Sequence, residues 1–138
     1  MRKLTPVFVG ALLVASFVLA ACGGGGGGAV GPGDPARGKA LYDKKTLGAK
    51  SAEGCVSCHN YDAKECKDDK APYTQGTGTR AATCVAGLSA EEYIRESIFK
   101  PDNYVVENYK AGDMYQGWEK ELSKQQIEDL IAYLLTEK

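Results

Sequence analysis

At 138 residues the chain has room for one modest core and none for a second domain. Its formal charge is −1, and acidic and basic residues are interspersed, which argues against the basic stripe of a nucleic-acid binder. Seventeen glycines are the one departure from ordinary composition, and a single run, Gly23 to Gly28, inflates that count.

The chain opens with Arg2 and Lys3 followed by an almost unbroken apolar stretch from Pro6 to Ala21, too short to span a bilayer comfortably. This reads as an export signal over residues 1–21. Leu19-Ala20-Ala21-Cys22 resembles the lipobox of bacterial lipoproteins, so Cys22 is expected to be acylated and to head the mature chain. Two or three acyl chains anchor stably, because each buried methylene is worth roughly 0.8 kcal/mol. An ordinary secretory signal or an uncleaved anchor is the alternative. Loss of the signal leaves 15 basic against 18 acidic side chains, or −3. Residues 22–33 then read as a Gly-rich tether whose reach is on the order of 20 Å. The expected location is the cell envelope, facing the periplasm or the exterior.

The remaining domain, 34–138, starts with Asp34-Pro35, an N-cap followed by Pro at the first helical position, which predicts a helix through about Lys45. Next comes Cys55-Val56-Ser57-Cys58-His59, the C-x-x-C-H signature of c-type haem attachment. Thiols three positions apart lie nearly on one side of a helical turn, where each can form a thioether to a haem vinyl group, and His59 then points at the iron. Export fits, since c-type haem is attached outside the cytoplasm. The competing reading is a zinc site of Cys55, Cys58, Cys66 and Cys84.

With Cys22, Cys55 and Cys58 assigned, Cys66 and Cys84 remain as a pair. In an oxidising compartment the default is a disulfide, worth roughly 3 kcal/mol for a loop of about 18 residues. Two free thiols are the alternative. The stretch from Asn60 to Ala86 has little helical periodicity and reads as a loop. Ser89 with Glu92 makes a capping box for a helix through about Phe99, ended before Pro101. Ser123 with Gln126 makes another, followed by Ile127, Leu130, Ile131, Leu134 and Leu135 at helical spacing. No sustained strand is evident, so the fold is expected to be all-α with long loops, and a haem would be the largest apolar group in its core.

His59 is the only histidine, and Met114 the only methionine once Met1 has left with the signal. If the iron has a thioether as its second axial ligand, Met114 supplies it; otherwise Met114 fills a gap in the core.

Over residues 34–138 the chain resembles class I cytochromes c. That resemblance implies a first helix crossing the last, with Gly38 and Tyr42 meeting Leu130 and Tyr133. It implies haem attachment at Cys55 and Cys58, with His59 on the iron. Pro72 and Gly76 resemble a family loop in which the proline carbonyl orients the proximal imidazole, although Ala71 stands where the family has Gly. The segment from Tyr93 to Met114 is similar to the cytochrome domain of subunit II of some terminal oxidases. Here Tyr115 follows Met114, where that domain usually has Pro, and the stretch to Trp118 is one residue longer. Tyr104, Tyr109 and Tyr115 are candidates to contact the methionine sulfur or line the haem edge. The mono-haem lipoprotein subunit of alternative complex III is also similar.

The function implied is single-electron transfer by one covalent haem c, with redox proteins or a membrane complex as partners and no small-molecule substrate. Both a mobile carrier and a fixed subunit remain open. A haem enzyme or gas sensor with an open iron face is the competing class, and a haem-free structural lipoprotein a third. Trp118 with its neighbouring lysines is either a docking surface or a solvated face.

Overall fold

The computed structural model describes residues 29–61 and 70–138. The signal, Cys22, the glycine run and Cys66 lie outside the described residues. Among the described residues no helix is long and apolar enough to cross a membrane.

Among the described residues, five helices and one minimal hairpin follow in order: α1 (Pro35–Tyr42), β1 (Thr46–Leu47), β2 (Ala52–Glu53), α2 (Thr77–Cys84), α3 (Ala90–Phe99), α4 (Trp118–Glu121) and α5 (Lys124–Thr136). Short 3-10 turns cover Cys55–Ser57 and Pro101–Asn103. The all-α expectation holds, since the antiparallel β1–β2 pair contributes only two residues per strand.

Helix starts follow the expected capping chemistry. The Asp34 carboxylate accepts from Ala36 N and Arg37 N at 2.8 and 3.0 Å, meeting donors that have no intrahelical partner. Ser89 and Ser123 form full capping boxes with Glu92 and Gln126. The α1 helix ends at Tyr42 rather than near Lys45. Asp43 N bonds back to Lys39 O, and the Lys45 carbonyl leaves the helical ladder to accept from Gly54 N at 2.7 Å, committing the chain to the hairpin.

The larger departure is α2, inside the stretch read as loop. Its sequence, Thr-Gly-Thr-Arg-Ala-Ala-Thr-Cys, has weak intrinsic helix propensity. Tertiary contacts stabilise it instead: Ala81 is buried, and Gly78 N donates to Glu137 O at 2.8 Å beyond the end of α5.

The core centres on α5, whose Ile127, Leu130, Ile131 and Tyr133 pack with Leu41, Tyr42, Ile94, Ile98, Trp118 and Leu122. Leu134 and Leu135 are only half-buried. The α1 and α5 backbones meet at Gly38, where a Cβ would overlap the Asp129 carbonyl oxygen and come within 2.7 Å of Tyr133 Cβ. The Tyr42 and Tyr133 rings pack edge to face, with centroids 5.3 Å apart. Two charge pairs reinforce the frame. Arg37 grips the buried Asp129 through Nε–Oδ2 at 2.8 Å and Nη2–Oδ1 at 2.9 Å. Arg95 of α3 forks onto Glu128 of α5 at 2.6 and 2.8 Å.

The chain entering α1 is also tied down. Gly31 N donates to Gln125 Oε1 at 2.8 Å, Gln125 Nε2 donates to Pro32 O at 3.3 Å, and Asp34 N donates to Asp129 Oδ1 at 2.9 Å. Gly31 and Pro32, read from the sequence as the end of a tether, therefore run along the start of α5.

Candidate haem-attachment site

The hairpin aims the Cys55–His59 turn. After Gly54 is pinned to Lys45, the Ser57 hydroxyl donates to the same carbonyl at 3.0 Å, and Cys58 N and His59 N both bond to Cys55 O at 3.1 and 2.8 Å. Cys55, Cys58 and His59 are thus wound into one tight turn, as their spacing predicts. Burial pushes the Cys55 thiol up to about 11, with Cys58 beside it adding in the same direction. Cys55 is therefore held as a thiol rather than a thiolate at neutral pH when nothing is bound to it. Among the described residues no group of three or more His, Cys, Asp or Glu side chains converges as a metal cluster.

His59 Nδ1 lies 2.7 Å from the Pro72 carbonyl oxygen. A carbonyl only accepts, so Nδ1 carries the proton and Nε2 keeps its lone pair. Burial lowers the imidazole's proton affinity further, while the Pro72 bond opposes it. The side chain is thereby a neutral, oriented nitrogen donor, the form a metal binds.

Two ties hold the Pro72 loop in place. Thr74 N and Gln75 N donate to Asn60 O and Tyr61 O at 2.7 and 3.1 Å, zipping the loop to the chain just after His59. Arg80 reaches back from α2, donating to Tyr73 O at 2.7 Å and to Gln75 O, with its guanidinium 4.6 Å from the Tyr73 ring centre. The turn into α2 requires φ = +75° at Gly76, a left-handed conformation that accounts for glycine there. From α1, the Tyr42 hydroxyl donates to His59 O at 3.0 Å and contacts Thr74 Oγ1. Since the carbonyl can only accept, Thr74 donates to Tyr42, giving a buried chain from Thr74 through Tyr42 to His59.

Met114 is half-buried and packs against the core cluster, on the long loop between α3 and α4. Asp102 Oδ1 accepts from Gly112 N at 2.8 Å, and Asp102 Oδ2 accepts from Gln116 Nε2. The candidate tyrosines separate. Tyr115 donates to Glu121 Oε1 at 3.3 Å and packs edge-on to Trp118, while Tyr104 packs edge-on to Tyr93 with centroids 5.7 Å apart. Tyr109 N bonds to Val106 O at 3.1 Å. Trp118 is buried in the core, which removes it from any docking face.

Cys84 is a free thiol at the end of α2, donating to Arg80 O at 3.3 Å; Cys66, its expected partner, lies outside the described residues. Sequence reasoning missed Asp102, Arg80, Tyr42 with Thr74, and Glu121. Asp102, Tyr42 with Thr74, and Glu121 each bond to a partner ten or more positions away; Arg80 reaches carbonyls five and seven residues back, and no local motif marks any of them.

The donor set fits a haem. Two free thiols share one turn with an imidazole whose remaining nitrogen is unprotonated, and Cys55, Val56, Phe99, Met114, Leu134 and Leu135 leave partly open apolar surface against the core. No curated protein matches the chain. A family model described as cytochrome c matches residues 35–138. With that match spanning every described helix, the chain belongs to the cytochrome c family, whose members hold haem c covalently and pass electrons through it.

Proposed function

We propose that this chain is a membrane-tethered cytochrome bearing one haem c on Cys55 and Cys58, with His59 and Met114 as axial ligands, that carries single electrons between respiratory or photosynthetic redox partners. The observation that carries this reading is the His59 Nδ1–Pro72 O bond of 2.7 Å beside two free thiols. When bound, the haem iron supplies the one-electron couple. Pro72 keeps His59 in a single tautomer, and Tyr42 ties the His59 backbone to α1. Val56, Phe99, Leu134 and Leu135, partly buried against the core, would offer a bound haem apolar surface, and keeping water from it would keep reorganisation on electron transfer small. Met114, packed against the core, would hold the iron together with His59 and so deny small ligands a coordination site.

Membrane attachment is assigned to acylated Cys22, with the domain in the periplasm or outside the cell, either as a mobile carrier or as a subunit of a membrane electron-transfer complex. Cys84 is a free thiol in the structure; its oxidation to a disulfide with Cys66 after export belongs to the same proposal, and thiol titration of the unfolded, unreduced protein tests it. Finding two reactive thiols there removes the bridge. Cys22→Ser is expected to release the domain from membranes, and continued sedimentation with them removes the anchor.

The decisive experiment is spectroscopy of the exported protein. One haem per chain by pyridine haemochrome, a far-red sulfur-to-iron band in the oxidised form, and no carbon monoxide binding in the reduced form are expected. Met114→Ala should abolish the band and admit carbon monoxide. A wild-type protein that binds carbon monoxide without denaturant overturns the carrier assignment.

A further inference from the structure

The Met114 loop runs from Tyr104 to Gly117 without regular secondary structure, closed locally by Tyr109 N to Val106 O at 3.1 Å and Asp113 N to Lys110 O at 3.4 Å. Neither bond fixes where residue 114 sits relative to the core. Asp102 does. It lies in the 3-10 turn Pro101–Asn103 that follows α3. That turn is secured by Asn103 N to Lys100 O at 2.9 Å and by the Asn103 side chain to Glu96 of α3. From this footing one carboxylate oxygen takes the Gly112 N–H at 2.8 Å and the other takes the Gln116 amide. The two partners stand two residues before and two residues after Met114.

We infer that Asp102 is the positioning residue for the iron's thioether ligand: its carboxylate straddles Met114 and holds both flanks of the loop to the end of α3. This rests on the assignment of Met114 as ligand. The chemistry favours a carboxylate at 102. Ionised, it offers acceptors on both oxygens, and charge-assisted bonds are about twice as strong as neutral ones. Gly112, at φ = +85°, turns its amide toward that oxygen in a conformation other residues rarely adopt. Tyr115 gives the loop no ring constraint on its backbone, so the fixing must come from outside the loop. Asp102 acts through the backbone and side chain of the loop, by limiting how far the sulfur strays. Cutting the straddle raises the population of loops in which Met114 is off the iron, and an added ligand reads that population directly.

The test is imidazole titration of the oxidised holoprotein, followed by loss of the far-red sulfur-to-iron band, for wild type and for Asp102→Ala, Asp102→Asn and Gln116→Ala. Denaturant unfolding followed by far-ultraviolet dichroism runs in parallel. Asp102→Ala should bind imidazole roughly tenfold more tightly than wild type, the scale of losing a charge-assisted bond. Asp102→Asn keeps an acceptor for Gly112 N and should recover at least half of that change on a logarithmic scale. Gln116→Ala is exposed and removes one arm without touching the 3-10 turn, so it should give an intermediate affinity even if Asp102→Ala fails to mature. Wild-type imidazole affinity in both alanine variants overturns the role, as does an affinity gain that only parallels a fall in global stability. Absence of the far-red band in wild type instead removes Met114 as ligand, a separate failure of the underlying assignment.

Discussion

Gly38 and Asp129 are in direct backbone contact: the α carbon of one faces the carbonyl oxygen of the other with no space for a methyl group between them. The contact brings α1 and α5 together more closely than side chains allow, and it carries Tyr42 onto Tyr133 on one side and Arg37 onto Asp129 on the other. An alanine at 38 would gain about 1 kcal/mol in helix propensity but must push two helix backbones apart, an overpacking cost of about 1 to 3 kcal/mol or more. Because the clashing atom is backbone, the second effect wins. Gly38→Ala should lower the denaturant midpoint by the equivalent of about 2 kcal/mol, and an unchanged midpoint refutes the contact.

Acid should act through Asp129. The Arg37 guanidinium holds its carboxyl at about 2, below the ordinary 3.8, with Asp34 N and the Gln125 amide adding to the effect and burial opposing it. The folded protein thus binds this proton less readily than the unfolded chain does. The resulting stability is complete above about pH 4 and is lost as the pH falls toward 2. With Arg37 largely in solvent, screening trims the contribution to about 1 kcal/mol. Stability measured between pH 5 and 2 should fall less steeply in Asp129→Asn than in wild type; equal slopes remove Asp129 from the acid response.

Tyr42→Phe deletes the link in the buried chain from Thr74 to His59. Phenylalanine preserves the ring packing, so the loss isolates the hydroxyl, about 1 to 2 kcal/mol with Thr74 left unsatisfied. Thr74→Val on that background should recover part of the loss. A double-mutant cycle with no coupling between the two positions contradicts the bond.

Glu121 links the two segments that flank the site. Its carboxylate takes Lys50 N at 3.1 Å in the hairpin turn and the Tyr115 hydroxyl at 3.3 Å, one residue beyond Met114. Those donors, Lys50 N first, keep its proton affinity below the ordinary carboxylate range. Glu121→Ala should speed amide exchange at Lys50 roughly tenfold while leaving α3 protected. Equal exchange at Lys50 in both proteins rejects the link.

Much of this was legible in the chain because the relevant physics is local. Asp34, Ser89 and Ser123 bond to amides within three residues, so three helix starts can be read from short windows. The Cys55–His59 turn is equally local. Pro72 came only through resemblance, and its carbonyl does accept from His59. What escaped depends on partners far along the chain. The α2 helix forms despite its composition because Gly78 meets Glu137, and Asp102 matters only once Gly112 and Gln116 fold back on it. The end of α1 was misplaced because the Lys45 carbonyl pairs with Gly54, a choice between two ladders that helical periodicity does not register.

The bonds from Gly31 and Pro32 to Gln125 set a fixed fairlead for the polypeptide where it enters the domain. Any tug arriving from upstream is spent in shear against the head of the final helix before it reaches Asp34, the first cap of the fold. Whatever the chain ahead of Gly31 is fastened to, the load path through these bonds ends on α5.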